Sequence, residues 1–329
     1  MKIALPLSLV LLAGALADAQ VPKTPDGQPD LQGVWTNATL TPFQRPAQLG
    51  DTPFFTPEEA AAFERQRVQQ GNNDSIEGPR GAKDLASRAY NNFWMDRGTH
   101  VTKNLRTSLI IDPPDGKVPA FTPAAQKRFD DFKAYLAQHP SDGPEDRLLT
   151  ERCIIFGASG PPMLPEPYNN NYQIVQNRDF VAIAAEMNHE TRIIPIDNSP
   201  HLPSNITQWR GDSRGHWEGD TLVVDTVHFK FNNQSRFGVA YLDGMTDENL
   251  HVTERFRRAD PNTIIYQATI DDPTVYTKAW TVELSMSKRK DRIFEYACHE
   301  GNYAMADMLS GARAEEKKED KKTKAAPQP

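Results

Sequence analysis

Leu250-His251-Val252-Thr253-Glu254-Arg255-Phe256-Arg257-Arg258, then Ala259-Asp260-Pro261-Asn262, then Thr263-Ile264-Ile265-Tyr266-Gln267-Ala268-Thr269-Ile270-Asp271 reads as strand, turn, strand. The outer runs hold β-branched and aromatic residues, and the separator is turn chemistry. The rhythm continues in both directions. Tyr172–Gln176, Phe180–Glu186, Thr191–Ile196 and Thr221–Phe229 precede it, and Thr277–Met286 and Ile293–Cys298 follow. Among the separators are Asn177-Arg178-Asp179, Glu218-Gly219-Asp220, Asp271-Asp272-Pro273 and Lys288-Arg289-Lys290-Asp291. Connections this short join antiparallel neighbours. A long run of such strands closes to remove its exposed edges. The expected fold is mainly β: an antiparallel meander closing into a barrel or strongly curled sheet, with short helices from the N-terminal half packed over it.

That N-terminal half, residues 20–165, is rich in Pro, Gly and polar residues and reads as an irregular, partly helical wrap around the strands of 166–305. Thr56-Pro57-Glu58-Glu59 and Thr122-Pro123-Ala124-Ala125 each place an N-cap Thr before a Pro at the first helical position. Phe129, Phe132, Tyr135 and Leu136 then recur at helical spacing. A third short helix is expected from Pro144 to Arg152. Gly33-Val34-Trp35 and Arg106–Asp112 are strand-like, the latter ending in the turn Pro113-Pro114-Asp115-Gly116.

The two ends carry separate signals. Lys2, an apolar run from Ile3 to Leu16 and the small residues of Ala17-Asp18-Ala19 fit a cleavable export signal cut near Ala19. The run is too short to span a bilayer. The expected division is signal peptide 1–19, one β-rich domain 20–312 and a disordered charged tail 313–329, since the tail has no apolar residue larger than Ala. The expected location is periplasmic or secreted. Formal charge over 329 residues is -7 and mean hydropathy is -0.63. No strongly basic face is expected, so nucleic acid is not an expected partner, and no second apolar stretch reaches membrane-spanning length.

In an oxidising compartment the two cysteines, Cys153 and Cys298, are a candidate disulfide. Two buried thiols or half of a metal site are the alternatives.

Thr24-Pro25-Asp26-Gly27-Gln28-Pro29-Asp30-Leu31-Gln32-Gly33-Val34-Trp35, Gly211-Asp212-Ser213-Arg214-Gly215-His216-Trp217-Glu218-Gly219-Asp220-Thr221-Leu222-Val223-Val224-Asp225 and Tyr296-Ala297-Cys298-His299-Glu300-Gly301-Asn302-Tyr303 resemble a widespread family of uncharacterised exported bacterial proteins. The resemblance spans nearly the whole mature chain and implies export, but transfers no activity. Gly33-Val34-Trp35 is also similar to the Gly-x-Trp of lipocalin-type barrels, where the Trp plugs the closed end. An ordinary core Trp after a turn Gly is the competing reading.

The densest polar stretch is Glu186–Asp225. A His beside a carboxylate can give and take protons near neutrality, so His189, His216, His299 and Glu254 are the candidate acid–base groups. Arg192, Trp209, Arg214, Trp217, Tyr172, Asn302 and Tyr303 are the candidate substrate-binding residues, the tryptophans as flat apolar walls. Glu254 and Arg255 project to opposite faces of their strand, so one of them faces the interior. Each candidate has a plain alternative: Glu218-Gly219-Asp220 as a hairpin turn, Arg192 paired with Asp225 as structure, His299 at the end of a strand. A metal ion on His189, His201 and His216 is a minor alternative, because their spacing matches no metal motif. The resulting expectation is an exported, cofactor-independent lyase or hydrolase acting on a small polar or aromatic molecule. The alternative is a non-catalytic, lipocalin-like small-molecule binding protein.

Overall fold

The computed structural model describes residues 21–70, 95–230 and 249–325, so the expected export signal lies outside the described residues. Ten strands form one antiparallel sheet: β1 (Gly33–Thr36), β2 (Ile110–Asp112), β3 (Asn171–Gln176), β4 (Phe180–Ala185), β5 (Thr191–Pro195), β6 (Asp212–Glu218), β7 (Thr221–Val227), β8 (His251–Asp260), β9 (Thr263–Asp271) and β10 (Trp280–Arg289). Their order is β5-β4-β3-β1-β10-β9-β8-β7-β6, with β2 on β10. Among the described residues three helices accompany them, α1 (Pro57–Gln70), α2 (Pro123–Gln138) and α3 (Ala304–Ala325).

This architecture corrects the expected fold. The protein is a mixed α/β fold whose sheet is open, not a barrel or a strongly curled sheet. Its end strands are β5 and β6, and no ladder joins them among the described residues. The 16-residue link 196–211 between them holds Pro200 and Pro203 and is no hairpin. Strands β5 and β6 approach each other, with Gly215 close to Ile194, but exchange no ladder hydrogen bonds. Two short meanders, β3–β5 and β6–β10, are joined through β1, which pairs with both β3 and β10. The lipocalin-like reading falls with the barrel. Trp35, Tyr172, Phe256, Tyr266 and Trp280 fill the sheet's buried face, each 0 % exposed. Trp35 is a core residue whose Nε1 donates to Leu31 O at 2.9 Å.

Local rules explain most elements. Glu59 N donates to Thr56 Oγ1, and Glu59 Oε2 accepts from Thr56 N, which closes a capping box on α1. Thr122 Oγ1 accepts from Ala125 N at 3.1 Å ahead of α2. Glu218 pairs with Thr221 across a two-residue turn, where Gly219 supplies φ +59 at no steric cost. The chain also departs from expectation in places. Residues 293–298 form no strand, and the segment expected as helix over 144–152 is a 3-10 turn, Pro144–Asp146. Helix α3 runs from Ala304 into the charged C-terminal segment, and Arg313 Nη2 donates to Ser141 O at 2.8 Å. Cys153 and Cys298 are joined in a disulfide. Among the described residues no helix is long and apolar enough to cross a membrane.

Candidate functional site

The polar chemistry of this chain gathers on one face of β6–β8. Strand alternation puts Asp212 and Arg214 of β6, Asp225 of β7 and His251 of β8 together there, because Arg214 pairs directly with Asp225 and Asp225 with Thr253. His201 comes from the link before β6. Its Nδ1 lies 2.8 Å from Asp212 Oδ2 and its Nε2 lies 2.8 Å from Asp225 Oδ2. With a carboxylate at each nitrogen, the ring is a bracket between two strands. Asp225 Oδ1 in turn meets His251 Nε2. Asp212 is anchored further by Leu202 N at 2.9 Å and Arg214 Nη1 at 2.7 Å.

The electrostatics follow from this wiring. Burial works against the Asp212 charge, but the Leu202 N–H, His201 and Arg214 outweigh it and hold the carboxyl below its usual range. The His251 hydrogen bond likewise holds Asp225 down. His251 is pushed up, first by its hydrogen bond to Asp225. His251 is 42 % exposed, Asp225 36 % and Asp212 5 %. The result is a graded cluster: a buried anchor, a shared carboxylate and an open imidazole. His251 Nδ1 has no hydrogen-bond partner among the described residues. This cluster can hold and pass a proton.

A second, fully buried pair lies on the opposite face of β8. Glu254 is 0 % exposed and is gripped through both oxygens by Arg192, with Nη2 at 3.0 Å from Oε1. Tyr266 OH donates to the same Oε1 at 2.9 Å, and Met163 N donates to that hydroxyl. Burial pushes the Tyr266 phenol well up. Arg255, the outward neighbour of Glu254, donates to Glu218 Oε2 at 2.6 Å.

The residues singled out by sequence are dispersed. His189 Nδ1 lies 2.9 Å from Tyr296 O, His216 Nε2 lies 3.2 Å from Glu218, and His299 lies beside the disulfide with Asn302. No hydrogen bond or shared cavity joins these three among the described residues. Arg192 and Glu254 do meet, but in the core. Tyr172 is buried, donating to Ala158 O and accepting from Asn37 Nδ2, and burial drives its phenol up. Trp209 lies under Lys230 Nζ at 4.7 Å, Trp217 packs on the core, and Arg214 serves Asp212. Asn302 Nδ2 contacts Cys153 Sγ at 3.5 Å, and Tyr303 is 74 % exposed. Of the alternative metal trio only His201 joins the cluster. No group of three or more His, Cys, Asp or Glu among the described residues could hold a metal ion.

Sequence reasoning passed over His251, the first residue of its strand. The signal was available only once the β7–β8 register placed it diagonally from Asp225. No family model and no curated protein matches the chain.

Proposed function

We propose that this chain is an exported enzyme that carries out acid–base chemistry on a small polar or aromatic molecule, as a lyase or hydrolase. In this reading His251 transfers the proton and Asp225 orients its ring. The observation that carries the reading is the His201-bracketed Asp225, which fixes one nitrogen of a half-exposed His251 and leaves the other edge open. A carboxylate behind an imidazole selects its tautomer and raises its basicity. Because Asp225 is itself tied to Asp212 through His201, it is preorganised and need not move during proton transfer.

The test needs two measurements. In an NMR titration His251 should hold its proton above the ordinary histidine range, and Asp225→Asn should return it towards that range. In a screen of aromatic and carbohydrate esters and of β-elimination substrates, His251→Ala should lower turnover by roughly 10²–10⁴-fold. His216→Ala and His299→Ala should leave it nearly unchanged. Turnover that survives both His251→Ala and Asp225→Asn sinks the assignment.

A further inference from the structure

A cavity of about 670 Å³ opens between the N-terminal wrap and the sheet, within the roughly 300–1,000 Å³ that small-molecule sites occupy. Its floor is core: Leu109 and Leu164 are each 2 % exposed, and Phe43 packs edge-on against Trp280 at 5.9 Å. Leu40 and Pro42 extend the apolar wall. Into this setting the chain brings two carboxyls, Asp96 and Glu166. Asp96 is held in place by its backbone, since its N donates to Pro167 O at 2.9 Å and its O accepts from Asn170 Nδ2 at 2.7 Å.

Asp96 Oδ2 is buried with no hydrogen-bond partner among the described residues. The Glu166 carboxyl has none among the described residues, although its backbone is tied on both sides to the Asn170 side chain. Burial pushes Glu166 up to about 7, and no neighbouring charge offsets it. Asp96 is also raised, mainly by burial, with a backbone hydrogen bond at Asn170 and then Arg289 lowering it and Glu186 raising it further. Among the described residues the other charged groups lining the cavity are Arg67 and Arg97, both exposed. Arg67 lies over the Phe63 ring at 5.4 Å. Both guanidiniums therefore stay hydrated at the mouth. A buried acceptor oxygen without a donor on Asp96 and a half-buried Glu166 carboxyl, set on an apolar floor, ask for a ligand that brings N–H donors and positive charge.

We propose that this cavity is a binding site for a small organic amine, an ammonium head on an apolar or aromatic body, with Glu166 as the paired carboxylate and Asp96 as second acceptor. The site shares no residue with the His251 cluster, so it stands independently of the acid–base reading. Binding of the ammonium ionises Glu166, and the displaced proton leaves to solvent.

The experiment is calorimetry with 2-phenylethylamine on the folded full chain, repeated in buffers of different ionisation heat. Near pH 6 the amine should bind at millimolar or lower concentration and release close to one proton, because Glu166 starts protonated and ends ionised. Near pH 8.5 the release should vanish. Glu166→Gln, which keeps the shape, should weaken binding roughly tenfold or more and abolish the proton release. A merely structural glutamate would not move that proton count. Arg67→Ala and Arg97→Ala should leave amine binding intact. Three outcomes overturn the proposal: no amine binding by the wild-type chain, unchanged binding by Glu166→Gln, or preference for 3-phenylpropionate that depends on Arg97.

Discussion

Glu254 shows what a single buried charge does in this protein. It is entirely enclosed, and Arg192 and Tyr266 between them supply its donors. Removing one member of such a pair strands the other in the core, at a cost of about 3–5 kcal/mol. Arg192→Ala or Glu254→Ala should therefore lower the unfolding free energy read from urea curves by an amount in that range. The double variant Arg192→Met/Glu254→Leu should recover most of the loss, since it leaves no buried charge. Single variants within roughly 0.5 kcal/mol of wild type, as surface changes are, would show that the pair is not isolated from water. That one of Glu254 and Arg255 faces inward was legible from strand alternation alone. Its partner was not. Arg192 lies 62 residues away on another strand, and no local pattern points to it.

At the scale of elements, legibility followed local chemistry. Helices α1 and α2 could be read because their Thr-Pro starts satisfy backbone groups within four residues. Strand β6 has no counterpart among the expected strands, because Asp212-Ser213-Arg214-Gly215-His216-Trp217-Glu218 is poor in β-branched residues. It is a strand because β7 gives it a full ladder, and Gly215 sits where a Cβ would come within 3.0 Å of Ile194 Cγ2. Without that strand the His251 cluster is also illegible, since Asp212 and Arg214 take their places from the β6–β7 register. The disulfide is the element-scale staple, tying the turn around Cys153 to the segment after β10 across 145 residues. The chain-entropy view gives such a cross-link up to about 5 kcal/mol. The paired variant Cys153→Ser/Cys298→Ser should lose roughly 2–5 kcal/mol of unfolding free energy, read from denaturant curves. Reductant should move wild type towards the same midpoint and leave the variant unmoved. A reductant effect on the variant would place the sensitivity elsewhere.

Across the whole molecule, the titrating groups pull the stability profile in opposing directions, and the sign of each decides where the optimum falls. Asp212 and Asp225 are held below the ordinary aspartate value of 3.8, so their contribution is present above that pH and is lost as pH falls through their folded values. His251 is held above 6.5. Its contribution is complete below 6.5 and disappears as pH rises through its raised value. Glu166 runs the other way from the aspartates. It is raised from 4.5 to about 7, so the fold favours its neutral form and loses stability as pH climbs from 4.5 through about 7. At about 1.4 kcal/mol for each factor of ten in proton affinity, the loss is on the order of 3 kcal/mol. The wild-type protein should therefore be most stable in mildly acidic buffer and weaken towards pH 8. Glu166→Gln cannot ionise, so its midpoint should match wild type near pH 4.5 and exceed it increasingly up to pH 8, moving the optimum upward. Thermal or urea midpoints collected across that range decide it. Parallel curves for the two proteins would mean that the cavity carboxyl is hydrated, and that the 670 Å³ space is wetter than its apolar floor implies.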